Sequence, residues 1–149
     1  MSDPRQRHEL GILLFVANRA LEQRAFESVV AAGITDITLA QARIAARIAP
    51  DGSRVSDLAE QARVTKQSAA SLVEQLERAG YVERVPDPTD GRARLVRLTP
   101  RLRQVAEVAD AEVERVLAEW AAHLGEDRLD QLHAILRDLR GITDPWWHA

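Results

Sequence analysis

Thr65, Lys66, Gln67, Ser68 and Ser71 form a run of small and polar side chains at the start of an apolar-periodic segment. Ala69, Leu72, Val73 and Leu76 recur there at helical spacing, so the segment reads as an amphipathic helix ending at Gly80. The opposite face carries Lys66, Gln67, Ala70, Ser71, Gln75 and Arg78, and its acids, Glu74 and Glu77, come only in later turns. Such a face can do hydrogen-bonding chemistry on nucleic acid. Gln67 has the paired donor and acceptor that match an adenine edge, Lys66 can reach guanine or a phosphate, and Ala70 can touch a thymine methyl. Thr65 and Ser68 are short donors suited to backbone phosphates. The competing reading is an amphipathic surface helix with an ordinary polar face.

About ten residues further on stands Asp90-Gly91-Arg92, followed by Arg94 and Arg97. Tyr81 to Val85 and Ala93 to Leu98 read as two strands, with Val96 and Leu98 inward and Arg97 outward. The turn-forming run Pro86-Asp87-Pro88-Thr89-Asp90-Gly91 joins them. An arginine at the tip of such a hairpin can enter a minor groove, with Asp90 bracing its guanidinium. The bland alternative is a solvated surface hairpin.

These residues need elements to hold them. A short helix with Ser56 as N-cap and Leu58-Ala59 buried precedes the polar helix, and Ala62-Arg63-Val64 joins the two as a tight turn. Upstream, residues 7–31 predict a long helix ended by Gly33. Thr38 and Gln41 predict a capping box for a second helix carrying Ile44, Ala45 and Ile48, after which Ser53 to Val55 can add a short strand. Downstream, Thr99 and Pro100 start a helix to Gly125, roughly 37 Å long. Leu129, Leu132, Leu136 and Leu139 mark a sixth helix ending near Gly141. The last two helices carry more apolar surface than one small winged module can cover, so they ask for a partner.

Composition bounds the rest. An apolar fraction of 46% in 149 residues supports one globular domain, and no apolar run is long enough to span a membrane. Zero cysteines exclude disulfides, thiolate metal sites and thiol redox sensing. The N-terminus lacks an apolar stretch of signal-peptide type, so a soluble cytoplasmic chain is the simplest expectation. His8, His123, His133 and His148 make no metal-binding spacing, and no nucleophile or phosphate-loop motif is present, so neither an enzyme nor a cofactor is expected. The net charge is −3, and residues 51–98 hold eight basic and eight acidic groups. A nucleic-acid function must therefore rest on where charges sit.

The segment Leu58 to Pro100 resembles the winged helix-turn-helix core of the MarR family of bacterial regulators. The match lies in Leu58-Ala59, Leu72-Val73-x-x-Leu76-Glu77, Gly80-Tyr81-Val82-x-Arg84, Asp90-x-Arg92 and Leu98-Thr99. The resemblance implies a mainly α fold with one small β-hairpin. Residues 38–99 would form the DNA-binding region, and 7–33 and 100–142 the helices that build a homodimer. It also implies double-stranded DNA with a pseudo-palindromic operator as partner, contacted by Thr65, Lys66, Gln67, Ser68, Ser71, Asp90, Arg92 and Arg94. Repression is the commoner family role, and many members release DNA on binding a small aromatic or phenolic anion. A winged-helix protein-interaction module without DNA binding is the alternative, motivated by the neutral charge and the acidic wing.

Two departures from the family pattern matter. Arg63 stands where glycine is usual in the turn, and Ala42 stands where an aromatic side chain often lines the ligand cavity. Leu13, Phe15, Phe26 and Ala42 are the expected neighbours of that cavity. Trp146 and Trp147 read as a hydrophobic latch at the dimer end, or else as an aromatic lid over a ligand.

Overall fold

A computed structural model describes residues 4–146, with side chains from residue 8 onward. Trp147 and His148 lie outside the described residues. Six helices and one hairpin follow in the order α1 (Pro4–Ala31), α2 (Leu39–Ala45), α3 (Val55–Ala62), α4 (Lys66–Arg78), β1 (Val82–Asp87), β2 (Asp90–Leu98), α5 (Pro100–Leu124) and α6 (Glu126–Thr143). The fold is mainly helical with one antiparallel two-stranded sheet.

Local chemistry sets the boundaries. α1 stops because Gly33 takes φ +86, which lets the Gly33 and Ile34 amides close back on the Val30 and Val29 carbonyls. The Thr38 hydroxyl accepts the Gln41 amide and the Gln41 side chain accepts the Thr38 amide, so the expected capping box starts α2. α2 ends at Ala45, earlier than the apolar pattern suggests, and Ile48 is buried from the following turn. Thr99 caps α5 with Pro100 in the first turn.

The core sits where α2, α3, α4 and the hairpin converge. Ile44, Leu58, Ala69, Val73, Leu76, Tyr81 and Val96 are essentially fully buried there. Leu102 and Val105 of α5 and Val29 of α1 extend it. Ser53 exchanges two backbone bonds with Val96, 2.9 and 2.8 Å, so the expected third strand is reduced to a single bridge. Gly52 makes that approach possible. A Cβ on it would sit 3.0 Å from the Leu95 Cβ and 3.2 Å from the Val96 carbonyl.

α1 and α5 are riveted by charge. The Arg24 guanidinium donates to Glu112 at 2.6 and 3.0 Å and to Glu119 at 2.8 and 2.9 Å. Arg115 closes on the buried Glu112 from the other side. These cations hold the Glu112 carboxyl below its usual range. Beyond this rivet, towards its N-terminus, α1 exposes Leu10, Ile12, Leu13, Leu14, Phe15 and Val16. α6 has no buried residue, and Ile142 is 84% exposed.

Candidate nucleic-acid interface

α3 and α4 form a helix pair joined by Arg63, Val64 and Thr65. Arg63 is the one non-glycine residue among those described with positive φ (φ 55, ψ 41). The left-handed conformation costs an L-residue about 1 kcal/mol or more. Two bonds hold the turn: the Arg63 amide to Glu60 and the Val64 amide to Ala59, both near 3.1 Å. The expected N-cap of α3 is corrected. Ser56 lies inside the helix, which starts at Val55, and the cap position belongs to Arg54, whose side chain makes no capping bond.

Thr65 caps α4. Its hydroxyl accepts the Ser68 amide at 3.0 Å and donates to the Ser68 Oγ at 2.8 Å. Lys66, Gln67, Ser68 and Ser71 are exposed along one face, with Ala69, Val73 and Leu76 buried on the other. The first turn has no acid, so the positive end of the helix dipole is uncompensated beside Lys66. Gln75 is exposed on the same side as Ser71. It accepts from Gln41 at 2.9 Å and donates weakly to Ser71 at 3.4 Å.

The hairpin differs from its sequence reading. β1 runs on through Pro86 and Asp87, so the turn is only Pro88-Thr89, and Asp90-Gly91-Arg92 opens β2 instead of forming the tip. Asp87 pairs with Asp90 while Pro86 pairs with Arg94, so Gly91, Arg92 and Ala93 bulge from the ladder. Arg92 is exposed on this bulge. Asp90 does not brace its guanidinium. One Asp90 oxygen accepts the Arg92 backbone amide at 3.1 Å, and the other lies 3.7 Å from Arg54.

Asp87 is 6% exposed and fully engaged. Its Oδ1 accepts the Thr89 amide and hydroxyl at 2.9 and 2.7 Å, and its Oδ2 accepts Arg54 Nε and Nη2 at 2.9 and 2.6 Å. The Thr89 bonds, then Arg54, hold the carboxyl down to about 2. From residue order alone Asp87 reads as a turn former and Arg54 has no role. The Asp-x-Thr spacing signals an Asx turn, and an arginine at a cap position was the remaining clue.

Ion pairs sort the charge of this neutral block. Arg84 pairs with Glu77 at 3.0 Å, Arg97 with Glu83 at 2.7 Å and Arg101 with Asp36 at 2.7 Å. Arg97 and Arg101 are therefore compensated. Among the described residues, Lys66 and Arg92 have no ion pair, and Arg94 reaches only the Arg84 carbonyl at 3.5 Å. Arg63 also has no ion pair, so the unpaired cations of residues 51–98 lie in the α3–α4 turn, at the α4 N-terminus and on the bulge. Behind it, Tyr81 is 1% exposed and donates its hydroxyl to Asp36, while Arg101 stacks 4.5 Å over its ring. Burial pushes the Tyr81 phenol up, and the Tyr81 bond holds the Asp36 carboxyl down.

A second site lies between α1, α2 and α5. Phe26, Val29, Ala42, Ile48, Leu102 and Val105 line a cavity of about 410 Å³, with Glu22, Arg43, Arg47 and Asp110 also contributing. Arg43 is forked onto Glu22 at 2.7 and 2.8 Å. The small Ala42 leaves this wall open instead of abolishing the cavity. Phe26 and Ala42 stand where expected. Leu13 and Phe15 do not, because both lie on the exposed half of α1. Trp146 is half-buried at a different cleft, between the end of α6 and the α2–α3 connection. Among the described residues no cluster of metal-ligating side chains occurs, and no helix is long and apolar enough to cross a membrane.

Comparison with known proteins gives a consistent result. A family model described as MarR family matches residues 35–93. A curated relative, the transcriptional activatory protein BadR of Rhodopseudomonas palustris, is 34% identical over 94 residues. That match covers 63% of this chain and about half (53%) of the relative's length. A transcriptional regulator from Thermotoga maritima superposes with a TM-score of 0.64 at 25% identity, covering 91% of this chain and 94% of its own. NadR, solved in complex with 4-hydroxyphenylacetate, gives 0.67 at 28% identity, covering 87% and 91%.

Proposed function

We propose that this chain, which belongs to the MarR family of transcriptional regulators, is a homodimeric, sequence-specific DNA-binding regulator. The family's members are regulators and not enzymes. The observation that carries the reading is the segregation of charge. A block with no net charge leaves uncompensated cations at the α4 N-terminus and on the wing bulge, as reading two neighbouring grooves requires. Residues 38–99 are the DNA-binding region, and 7–33 with 100–142 are the dimerisation region. Lys66, Gln67 and Ser71 face the major groove, Thr65 and Ser68 the phosphates, and Arg92 and Arg94 the adjacent minor groove. Asp90 serves by holding the Arg92 backbone. The apolar faces of α1 and α6 bury each other across a two-fold axis, presenting two α4 helices about 34–36 Å apart to a pseudo-palindrome. A cytoplasmic location follows from this role.

The cavity between α1, α2 and α5 is the effector site. Its apolar walls suit a small aromatic or phenolic acid, and NadR, the neighbour solved with 4-hydroxyphenylacetate, supports that class. Repression relieved by this ligand is the primary reading. The curated relative is named as an activator, and that favours activation as the second.

Selection from a random duplex pool tests both parts. An enriched inverted repeat, bound less tightly when one of a panel of aromatic acids is added, is the expected result. No enriched motif would overturn the DNA reading in favour of a protein-interaction module.

A further inference from the structure

The bulge leaves a mechanical problem. Gly91, Arg92 and Ala93 have no ladder partner, so the sheet does not fix where Arg92 stands. Gly91 adds backbone freedom beside it. The contact recorded on Arg92 is its amide bond to Asp90, which in turn lies beside Arg54.

Arg54 occupies the N-cap of α3 (φ −75, ψ 145), where an oxygen-bearing side chain normally accepts a helix amide. An arginine has no acceptor to offer. Its guanidinium turns instead to residues thirty-three and thirty-six positions later. Nε and Nη2 grip Asp87 Oδ2 at 2.9 and 2.6 Å, and Nη2 lies 3.7 Å from Asp90 Oδ2. Asp87 and Asp90 are the two residues flanking the Pro88-Thr89 turn. Asp90 then holds the Arg92 amide through its other oxygen. One cation on the helix pair thus bonds one end of the wing turn and lies within ion-pair distance of the other, which leads into Arg92. The fork geometry is specific to arginine, since a lysine is a point charge on a flexible stem.

Building on the DNA-binding reading above, we propose that Arg54 is a positioning residue that locks the wing to the helix-turn-helix pair and, through Asp90, sets the place of Arg92 against DNA. It does not itself contact DNA.

Two measurements on the full chain test this. The first is amide exchange of the free protein. Arg54→Ala and, separately, Asp90→Ala should each speed exchange at Arg92 about tenfold or more, while core amides such as Val73 keep their protection. Unchanged exchange at Arg92 in either variant overturns the proposal, whether or not the chain binds DNA.

The second is a double-mutant cycle on the enriched duplex. Arg54→Ala should weaken binding about as much as Arg92→Ala and lower the salt slope by the same amount, about one unit. The double variant should be no weaker than Arg92→Ala alone, and Arg54→Lys should restore only part of the loss. Multiplicative losses, or an unchanged slope in Arg54→Ala, would show that Arg54 acts on stability and not through Arg92. If the native chain binds no duplex, the functional reading fails, and the exchange experiment still decides the positioning of the bulge.

Discussion

The winged region and the helical arms solve opposite problems. Between Ile44 and Val96 the chain closes on itself: six large side chains are fully buried, and the acid of the wing base has a donor for every oxygen. The N-terminal half of α1 and most of α6 bury little within the chain, and Leu10, Leu13, Leu132, Ile135, Leu139 and Ile142 face out. One region buries its large apolar side chains within the chain and the other leaves them exposed. The difference fits the proposed roles, since a module that meets a rigid duplex must be preorganised, whereas an assembly surface must be left open.

The largest expected effect lies in the core. Leu58→Ala removes a fully buried side chain and should cost about 2–5 kcal/mol in urea unfolding. A loss below about 1 kcal/mol would mean that the winged region is not the self-sufficient unit. Next come the arms. Leu132→Glu with Leu136→Glu, both on exposed α6, should leave helix content intact but yield a monomer. Loss of the linked second half-site should weaken operator binding on the order of 100-fold. A dimer surviving both charges would move the interface elsewhere.

Arg92→Ala should weaken operator binding several-fold and lower the salt slope by about one, whereas Gln67→Ala should relax base preference. A uniform loss across sequences in Gln67→Ala would refute a base-reading role. Arg63→Gly relieves a left-handed arginine and should raise stability by about 1 kcal/mol or less. A destabilised variant would show that the side chain contributes more than its backbone costs.

The smallest effect near neutrality is that of pH on the wing base. Asp87 is depressed to about 2 in the folded chain, so its contribution is fully present above the unfolded carboxylate value, near 4, and fades as pH falls towards 2. Asp87→Asn should flatten the acid limb of stability only in that window. An unchanged limb would mean that Asp87 titrates alike in both states.

Much of this was legible in residue order because local chemistry carried it. Thr38-x-x-Gln41, Thr99-Pro100, the Leu58-Ala59 pair and the α4 stripe each specify their element with neighbours a few residues away. At the hairpin tip the same local chemistry misleads. Asp87 and Pro86 are turn formers locally, whereas the pairing of Asp87 with Asp90 and the bond from Arg54, thirty-three residues earlier, depend on the tertiary fold. The Arg24–Glu112–Glu119 rivet and the Tyr81–Asp36–Arg101 cluster were invisible for want of sequence proximity. Phe15 and Leu13 are expected at the cavity that the family resemblance implies, although an apolar side chain on α1 can equally stay exposed, as both do.

The central claim is that a finished reading module is paired through unfinished arms. Sedimentation equilibrium of the native chain, free and on its enriched duplex, tests this most directly. A dimer at micromolar concentration, and two chains per inverted repeat, are the predicted results. A monomer that binds a single half-site with full affinity would contradict the account.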